Sequence, residues 1–187
     1  MKIIYQRSDK TKPTIFLDRD GVINRVKPGE YITSISDVKI YSSFIDGFKK
    51  LELSQYHLII ITNQSAINRG FMSLDDAIKI NNYVVSLLKK KMIFINALYF
   101  CPHRPDENCE CRKPKTGLIE EAKKDFKIDF KNSYFIGDKK NDIELAKKIN
   151  VKSILVLTGE GRKELKKMNI KPDFILNNLK NVKMIIK

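Results

Sequence analysis

Asp18 and Asp20, two aspartates two residues apart in FLDRDG, follow directly on the apolar run TIFL. A carboxylate is a competent nucleophile toward phosphorus, forming an acyl phosphate that water then cleaves. A second acid, held neutral beside it, can protonate the leaving oxygen, and Gly21 lets the backbone turn tightly next to a ligand. Such a pair can equally cap a turn, and alone it does not decide. A second apolar run ends in Thr62, Asn63, Gln64 and Ser65, neutral donors suited to phosphoryl oxygens. A third ends in Gly137 and Asp138, followed by Lys139, Lys140, Asn141 and Asp142. Acidic residues at that second end can complete a Mg²⁺ site with the first pair, because Mg²⁺ takes one or two carboxylates and fills its octahedron with water and phosphate oxygens. Phosphate-monoester hydrolysis calls for accelerations of up to ~10²¹, and one general acid supplies about 10²–10⁴. Electrostatic stabilisers must supply much of the remainder, and Arg112 and Lys113 are the natural donors.

Just before that basic pair, CPHRPDENCECRKP places Cys101, His103, Cys109 and Cys111 as C-x-H-x5-C-x-C. Three thiols and an imidazole make a tetrahedral zinc set, and a full protein shell leaves no place for a catalytic water. The expected role is structural, holding the loop that carries Arg112 and Lys113. A disulfide or three plain thiols are the alternatives; zinc is favoured because this segment holds all three cysteines and one of the two histidines. The other, His57, opens an apolar run with no partner pattern and is expected to be structural.

These residues need a scaffold that brings the ends of several strands together. Apolar runs at 14–18, 57–62, 95–101, 133–137, 153–157 and 173–176 alternate with helix-like segments. Because the runs are apolar throughout, the pattern predicts a mainly parallel, Rossmann-like sheet with helices on both faces, an α/β three-layer sandwich. Ser73 and Asp76 form a capping-box-like start to a helix carrying Ala77, Ile80, Val84, Leu87 and Leu88; Ser43 and Asp46 repeat it before Phe48 and Leu51. Segments 117–126 and 139–149 are further helices. The irregular stretches 19–42, 63–72 and 102–116 each begin where a strand ends, the edge at which open α/β sheets bind ligands.

The length of 187 residues fits one domain spanning 1–187, with the zinc loop at about 101–111 and no large cap. Few, clustered cysteines and the lack of a long apolar run predict a cytoplasmic protein without membrane contact. The net charge of +14 suits nucleic acid, a membrane surface or a polyanionic small substrate. Lysines are scattered through nearly every segment, which favours a solvated surface over nucleic-acid binding or a nucleic-acid phosphatase.

In the order FLDRDG, ITN, the lysine of CRKP and GDKKND, the chain resembles the haloacid dehalogenase superfamily of phosphatases. The likeness spans about residues 14–180 and is closest to its zinc-containing branch, which includes heptose-bisphosphate and histidinol-phosphate phosphatases. The resemblance implies a phosphoric monoester hydrolase acting on a small phosphorylated metabolite; a monomer is expected. Asp18 is then the nucleophile, Asp20 the general acid/base, and Thr62 and Lys113 stabilise the phosphoryl group. Mg²⁺ is held by Asp18, Asp138 and the Asp20 carbonyl, and Asn63, Gln64, Ser65, Arg112 and Lys139 contact substrate. The TNQS run with Arg69 and Gly70, and the GEYI segment, point to a heptose bisphosphate of surface-glycan synthesis. The short zinc loop points to histidinol phosphate, the alternative to the favoured heptose bisphosphate reading.

Overall fold

The computed structural model describes residues 1–186, so Lys187, the last residue of the expected domain, lies outside it. A seven-stranded sheet runs through the middle of the molecule. In chain order its strands are β1 (Lys2–Ile4), β2 (Thr14–Leu17), β3 (His57–Asn63), β4 (Ala97–Cys101), β5 (Tyr134–Gly137), β6 (Lys152–Val156) and β7 (Phe174–Leu176). They lie in the order β1-β4-β3-β2-β5-β6-β7, all parallel except β1, which pairs antiparallel with β4. The helices are α1 (Ser42–Phe48), α2 (Leu74–Lys89), α3 (Gly117–Asp125), α4 (Lys140–Lys148) and α5 (Gly161–Leu165).

Alternation along the strands sorts side chains between two cores. Ile15, Leu17, Ile60, Leu98 and Ile136 pack with Phe44 and Phe48 of α1 and with Val84, Val85 and Leu88 of α2. Phe16, Ile59, Ile61, Tyr99 and Phe135 pack on the other face with Leu118, Ile119 and Ala122 of α3 and Leu145 and Ala146 of α4. Both faces of the central strands are therefore dry, which is why their sequences are apolar without a break. The α/β three-layer sandwich stands as expected.

Two local features differ. β1 was not anticipated: three residues on a partly exposed edge leave no pattern to read. At α1 the expected Ser43 cap is absent; Tyr41 precedes the helix, no side chain caps it, and Ser43 lies inside the first turn. At α2 the cap forms, with Ser73 Oγ accepting from the Asp76 N–H at 3.0 Å and donating to its carboxylate at 2.6 Å.

Topology decides where a site can form. From β2 the chain builds outward through β3 and β4, then returns to the other side of β2 to begin β5. This reversal opens a crevice at the C-terminal ends of β2 and β5, and Asp18 and Asp138 are the residues that follow those strands.

Candidate active site and zinc loop

Asp18 is buried, its N–H bonded to the Ile136 carbonyl at 2.9 Å, so β5 fixes the backbone that carries it. Its Oδ1 accepts from Lys113 Nζ at 2.6 Å. Lys113 also donates to the Ile61 carbonyl at 2.8 Å and lies 2.6 Å from Asp142 Oδ1. This lysine is itself buried; burial alone would lower its pKa, but the charges of Asp142 and Asp18 outweigh that and keep it firmly protonated. Burial raises the Asp18 pKa, and the adjacent Lys113 charge opposes the shift.

Asp138 is fully buried at the end of β5. Its Oδ2 accepts from the Glu160 N–H at 2.8 Å, while Oδ1 has no hydrogen-bond partner among the described residues. Burial, then repulsion from Asp18, pushes its pKa well up. The Gly21 backbone, at φ +95°, passes so close that a Cβ there would sit 2.1 Å from Asp138 Oδ2, so only glycine fits this turn.

Carboxylate oxygens of Asp18, Asp138 and Asp142 converge within 4.8 Å of one another. Asp142 Oδ2 accepts from the Lys139 N–H at 3.1 Å, while its Oδ1 forms an ion pair with Lys113 Nζ at 2.6 Å but has no hydrogen-bond partner among the described residues. Three buried carboxylates against one ammonium in direct contact, with oxygens of Asp138 and Asp142 lacking hydrogen bonds and that of Asp138 lacking an ion pair as well, form a hard, oxygen-only donor set that fits Mg²⁺. Asp18 and Asp138 are the residues that would hold the ion, while Asp142 fixes Lys113.

Asp20 lies in a different setting. Arg19, fully buried, grips its carboxylate with both arms, Nε to Oδ1 at 3.0 Å and Nη2 to Oδ2 at 2.6 Å. The guanidinium also donates to Asn81 Oδ1 of α2 at 2.5 Å and to Gln64 Oε1 at 2.8 Å. Gln64 Nε2 closes the network on Asp20 Oδ2 at 3.1 Å and Thr62 Oγ1 at 2.9 Å. Burial alone would raise the Asp20 pKa, but the Arg19 charge and these bonds lower it instead. The sequence suggests an acid held neutral; in the resting chain this environment favours the carboxylate.

Asp18, Asp20, Thr62, Asn63, Gln64, Ser65, Arg112, Lys113 and Lys139 all line one cleft of about 160 Å³, with Asp138 buried beyond its wall. Their functions within it differ from a simple list of substrate contacts. The Asn63 amide is taken up by the Lys113 main chain, accepting from its N–H at 3.1 Å and donating to its carbonyl at 3.2 Å. Gln64 is spent on Arg19, Asp20 and Thr62. Ser65 is buried with no side-chain hydrogen bond among the described residues, and Arg112 reaches back to the His103 carbonyl at 3.0 Å. Lys139 caps the start of α4, and Asp138 and Asp18 keep its ammonium charged against the opposing effect of burial. Sequence reasoning missed Arg19, Asn81 and the lysine-fixing role of Asp142. Asn81 left a signal, since it falls on the buried stripe of α2 between Ala77 and Val84, where a polar residue needs a partner.

In the neighbouring loop, His103 Nδ1 lies 3.5 Å from Cys101 Sγ and 3.3 Å from Cys111 Sγ; Cys109 Sγ lies 3.5 Å from Cys101 Sγ and 3.6 Å from Cys111 Sγ. Bonds of about 2.0–2.3 Å to a tetrahedral zinc put donors roughly 3.5–3.8 Å apart. The four donors fit that ion closely. His57, by contrast, is buried at the start of β3 with Nε2 3.1 Å from the Lys10 carbonyl, and belongs to no cluster of metal-ligating side chains among the described residues.

Comparison with known proteins agrees with this site. A family model described as HAD-hyrolase-like matches residues 110–182. A probable D-glycero-D-manno-heptose-1,7-bisphosphate 7-phosphatase of Thermoplasma acidophilum is 43% identical over 152 residues, 81% of this chain and 94% of that one. A D-glycero-beta-D-manno-heptose-1,7-bisphosphate 7-phosphatase of Helicobacter pylori is 40% identical over 79% of this chain and 84% of its own. The crystal structure of D,D-heptose 1,7-bisphosphate phosphatase from B. bronchiseptica, complexed with magnesium and phosphate, superposes with a TM-score of 0.83 at 26% identity, covering 91% of this chain and 95% of that one. With this much of its length shared, the chain belongs to the haloacid dehalogenase superfamily of phosphatases, in the branch of the heptose-bisphosphate phosphatases.

Proposed function

We propose that this protein is a Mg²⁺-dependent cytoplasmic phosphatase that removes the 7-phosphate of D-glycero-D-manno-heptose 1,7-bisphosphate, serving lipopolysaccharide or other surface-glycan precursor synthesis. The observation that carries the chemistry is the Asp18–Lys113 contact at 2.6 Å, set among donors in a cleft with the unpartnered oxygen of Asp138 behind it. The substrate comes from the names of the relatives.

Lys113 engages one oxygen of Asp18 and leaves the other without a hydrogen-bond partner among the described residues, available to attack. As the bond from Asp18 to phosphorus forms, the ester P–O bond breaks and its electron pair leaves with the sugar oxygen, which takes a proton from Asp20. The incoming phosphate supplies the negative charge that raises the Asp20 pKa for this step against the influence of Arg19. Water then attacks phosphorus, its proton passes to Asp20, and the P–O bond to Asp18 breaks with its electron pair returning to that carboxylate. Lys113 and the Thr62 hydroxyl stabilise charge on the phosphoryl oxygens in both steps. Mg²⁺ held by Asp18 and Asp138 supplies Lewis-acid stabilisation and offsets repulsion between nucleophile and phosphate. Zinc, which Cys101, His103, Cys109 and Cys111 would hold, would fix the loop and with it Arg112, while Asn63 clamps the main chain of Lys113 independently.

The test is phosphate release by purified, Mg²⁺-supplied protein from both anomers of heptose 1,7-bisphosphate and from histidinol phosphate. A higher kcat/KM on a heptose bisphosphate is expected. Preference for histidinol phosphate would replace the substrate and keep the mechanism, and turnover of neither would sink the substrate assignment.

A further inference from the structure

The cleft around Asp18 encloses about 160 Å³, whereas pockets that bury a whole small ligand run to about 300–1,000 Å³. It has room for a phosphoryl group and little more. Val26, Glu30, Tyr31 and Ile32 in its wall also border a second cavity of about 880 Å³. The body of a substrate whose phosphate sits at Asp18 has that space to enter.

The second cavity is lined by Arg25, Lys27 and Lys39. Lys27 is 3.6 Å from Glu30, which offsets its charge. Asp37, the other acid there, accepts from the Thr33 and Ser34 N–H groups at 3.2 and 2.9 Å. Arg25 and Lys39 have no ion-pair partner among the described residues. They are also held side by side: the Arg25 N–H donates to the Lys39 carbonyl at 2.8 Å. Asn24, fully buried, binds both backbones, donating to the Arg25 carbonyl at 3.1 Å and accepting from the Lys39 N–H at 2.7 Å. The Arg25 guanidinium lies 5.5 Å from the centre of the Tyr41 ring, which restricts it further. Two adjacent cations, free of acids and fixed by a buried amide, make a prepared receptor for a doubly charged anion.

We infer that Arg25 and Lys39 receive the second phosphoryl group of a bisphosphorylated substrate, at the end remote from Asp18. This rests on the bisphosphate reading above and adds to it the residues that distinguish a bisphosphate from a monophosphate.

The test compares kcat/KM for heptose 1,7-bisphosphate and heptose 7-phosphate in the wild type, Arg25→Ala, Lys39→Ala and Lys39→Glu. Hydrogen bonds to charged groups imply a loss of about tenfold or more per cation on the bisphosphate, carried by KM. The monophosphate should change by less than about threefold, which also shows that the variants are folded. Lys39→Glu should exceed Lys39→Ala by repulsion. A wild type that prefers the bisphosphate while all variants keep that preference overturns the receptor and leaves the heptose reading standing. A wild type that does not distinguish the two substrates overturns both the receptor and the bisphosphate specificity, and failure to turn over either heptose phosphate removes the reading beneath them.

Discussion

Asp138, at the C-terminal end of β5, is fully buried with one oxygen left unpartnered, whereas Asp173, at the N-terminal end of β7, has every oxygen engaged. Asp173 Oδ2 accepts from Ser153 N and Oγ, both at 2.7 Å, and Oδ1 from Lys147 Nζ at 2.5 Å. The pKa shifts diverge accordingly: burial and the Asp18 charge push Asp138 well up, while bonds from Lys147 and Ser153 outweigh burial and take Asp173 down to about 2. The same side chain therefore stabilises one end of the sheet and strains the other. Buried like charges with an orphaned acceptor persist where a cation and a phosphate are to supply what the protein withholds.

The contrast breaks most visibly at Asp18 and Asp138. Asp18→Asn should lower kcat by about 10⁴–10⁶, as loss of a nucleophile does elsewhere, in a continuous phosphate-release assay. Asp138→Asn should lower it by about 10²–10⁴, the equivalent of several kcal/mol of metal-derived stabilisation. The decisive readout is thermal melting with and without Mg²⁺. Saturation at about 100 times Kd stabilises a binding protein by ~2.7 kcal/mol; Asp138→Asn should lose that gain, yet melt no lower than wild type without metal, because a buried repulsion has gone. A metal-free melting point well below that of wild type would show that Asp138 is a structural residue after all.

The next largest effect concerns the grip of Arg19 on Asp20. Arg19→Lys retains the charge but cannot reproduce a fork that meets Asp20, Asn81 and Gln64 together. Displacing a reacting group by about 1 Å can cost 10²-fold, so kcat should fall about 10–100-fold with KM within threefold. A change confined to KM would mean that Arg19 serves substrate binding instead. Removal of zinc, by a zinc-selective chelator at fixed Mg²⁺, should act in the opposite sense. Lys113 keeps the Asn63 clamp when the loop loosens, whereas Arg112 is tied to the loop through His103. KM should therefore rise about tenfold, the scale of one charged hydrogen bond, while kcat changes little.

The same contrast governs what could be read from the sequence. Thr62 and Asp138 were legible because strand ends are marked by where apolar runs stop, and a parallel sheet gathers those ends at one edge; Lys113, on the loop after β4, was legible from its place beside the cysteine cluster. Strand limits came within two residues for the same reason. Arg19 was not legible: among 36 basic residues nothing marks the one that is fully buried, since its partners Asn81 and Gln64 are 62 and 45 residues away. Asp142 was visible as a residue but not as a role, because its contact with Lys113 depends on where the zinc loop folds back. At α1 a local cap pattern at Ser43 lost to tertiary packing, with Phe44 and Phe48 buried against the sheet.

The smallest effect, and the sharpest test of the other end of the sheet, is Asp173→Asn. Its folded-state pKa of about 2 lies below the ordinary value of 3.8, so the stability it contributes is present above about pH 4 and is lost as the pH falls from there through 2. Because the side chain is 37% exposed, solvent screening reduces the contribution to about 1 kcal/mol. Denaturant midpoints at pH 7 should then place Asp173→Asn lower by about that amount, with kcat unchanged, and the two stability curves should converge as the pH approaches 2. If the gap stays constant from pH 7 to pH 2, the substitution acts through packing or backbone geometry, and the charge of Asp173 is not what secures β7 to β6 and α4.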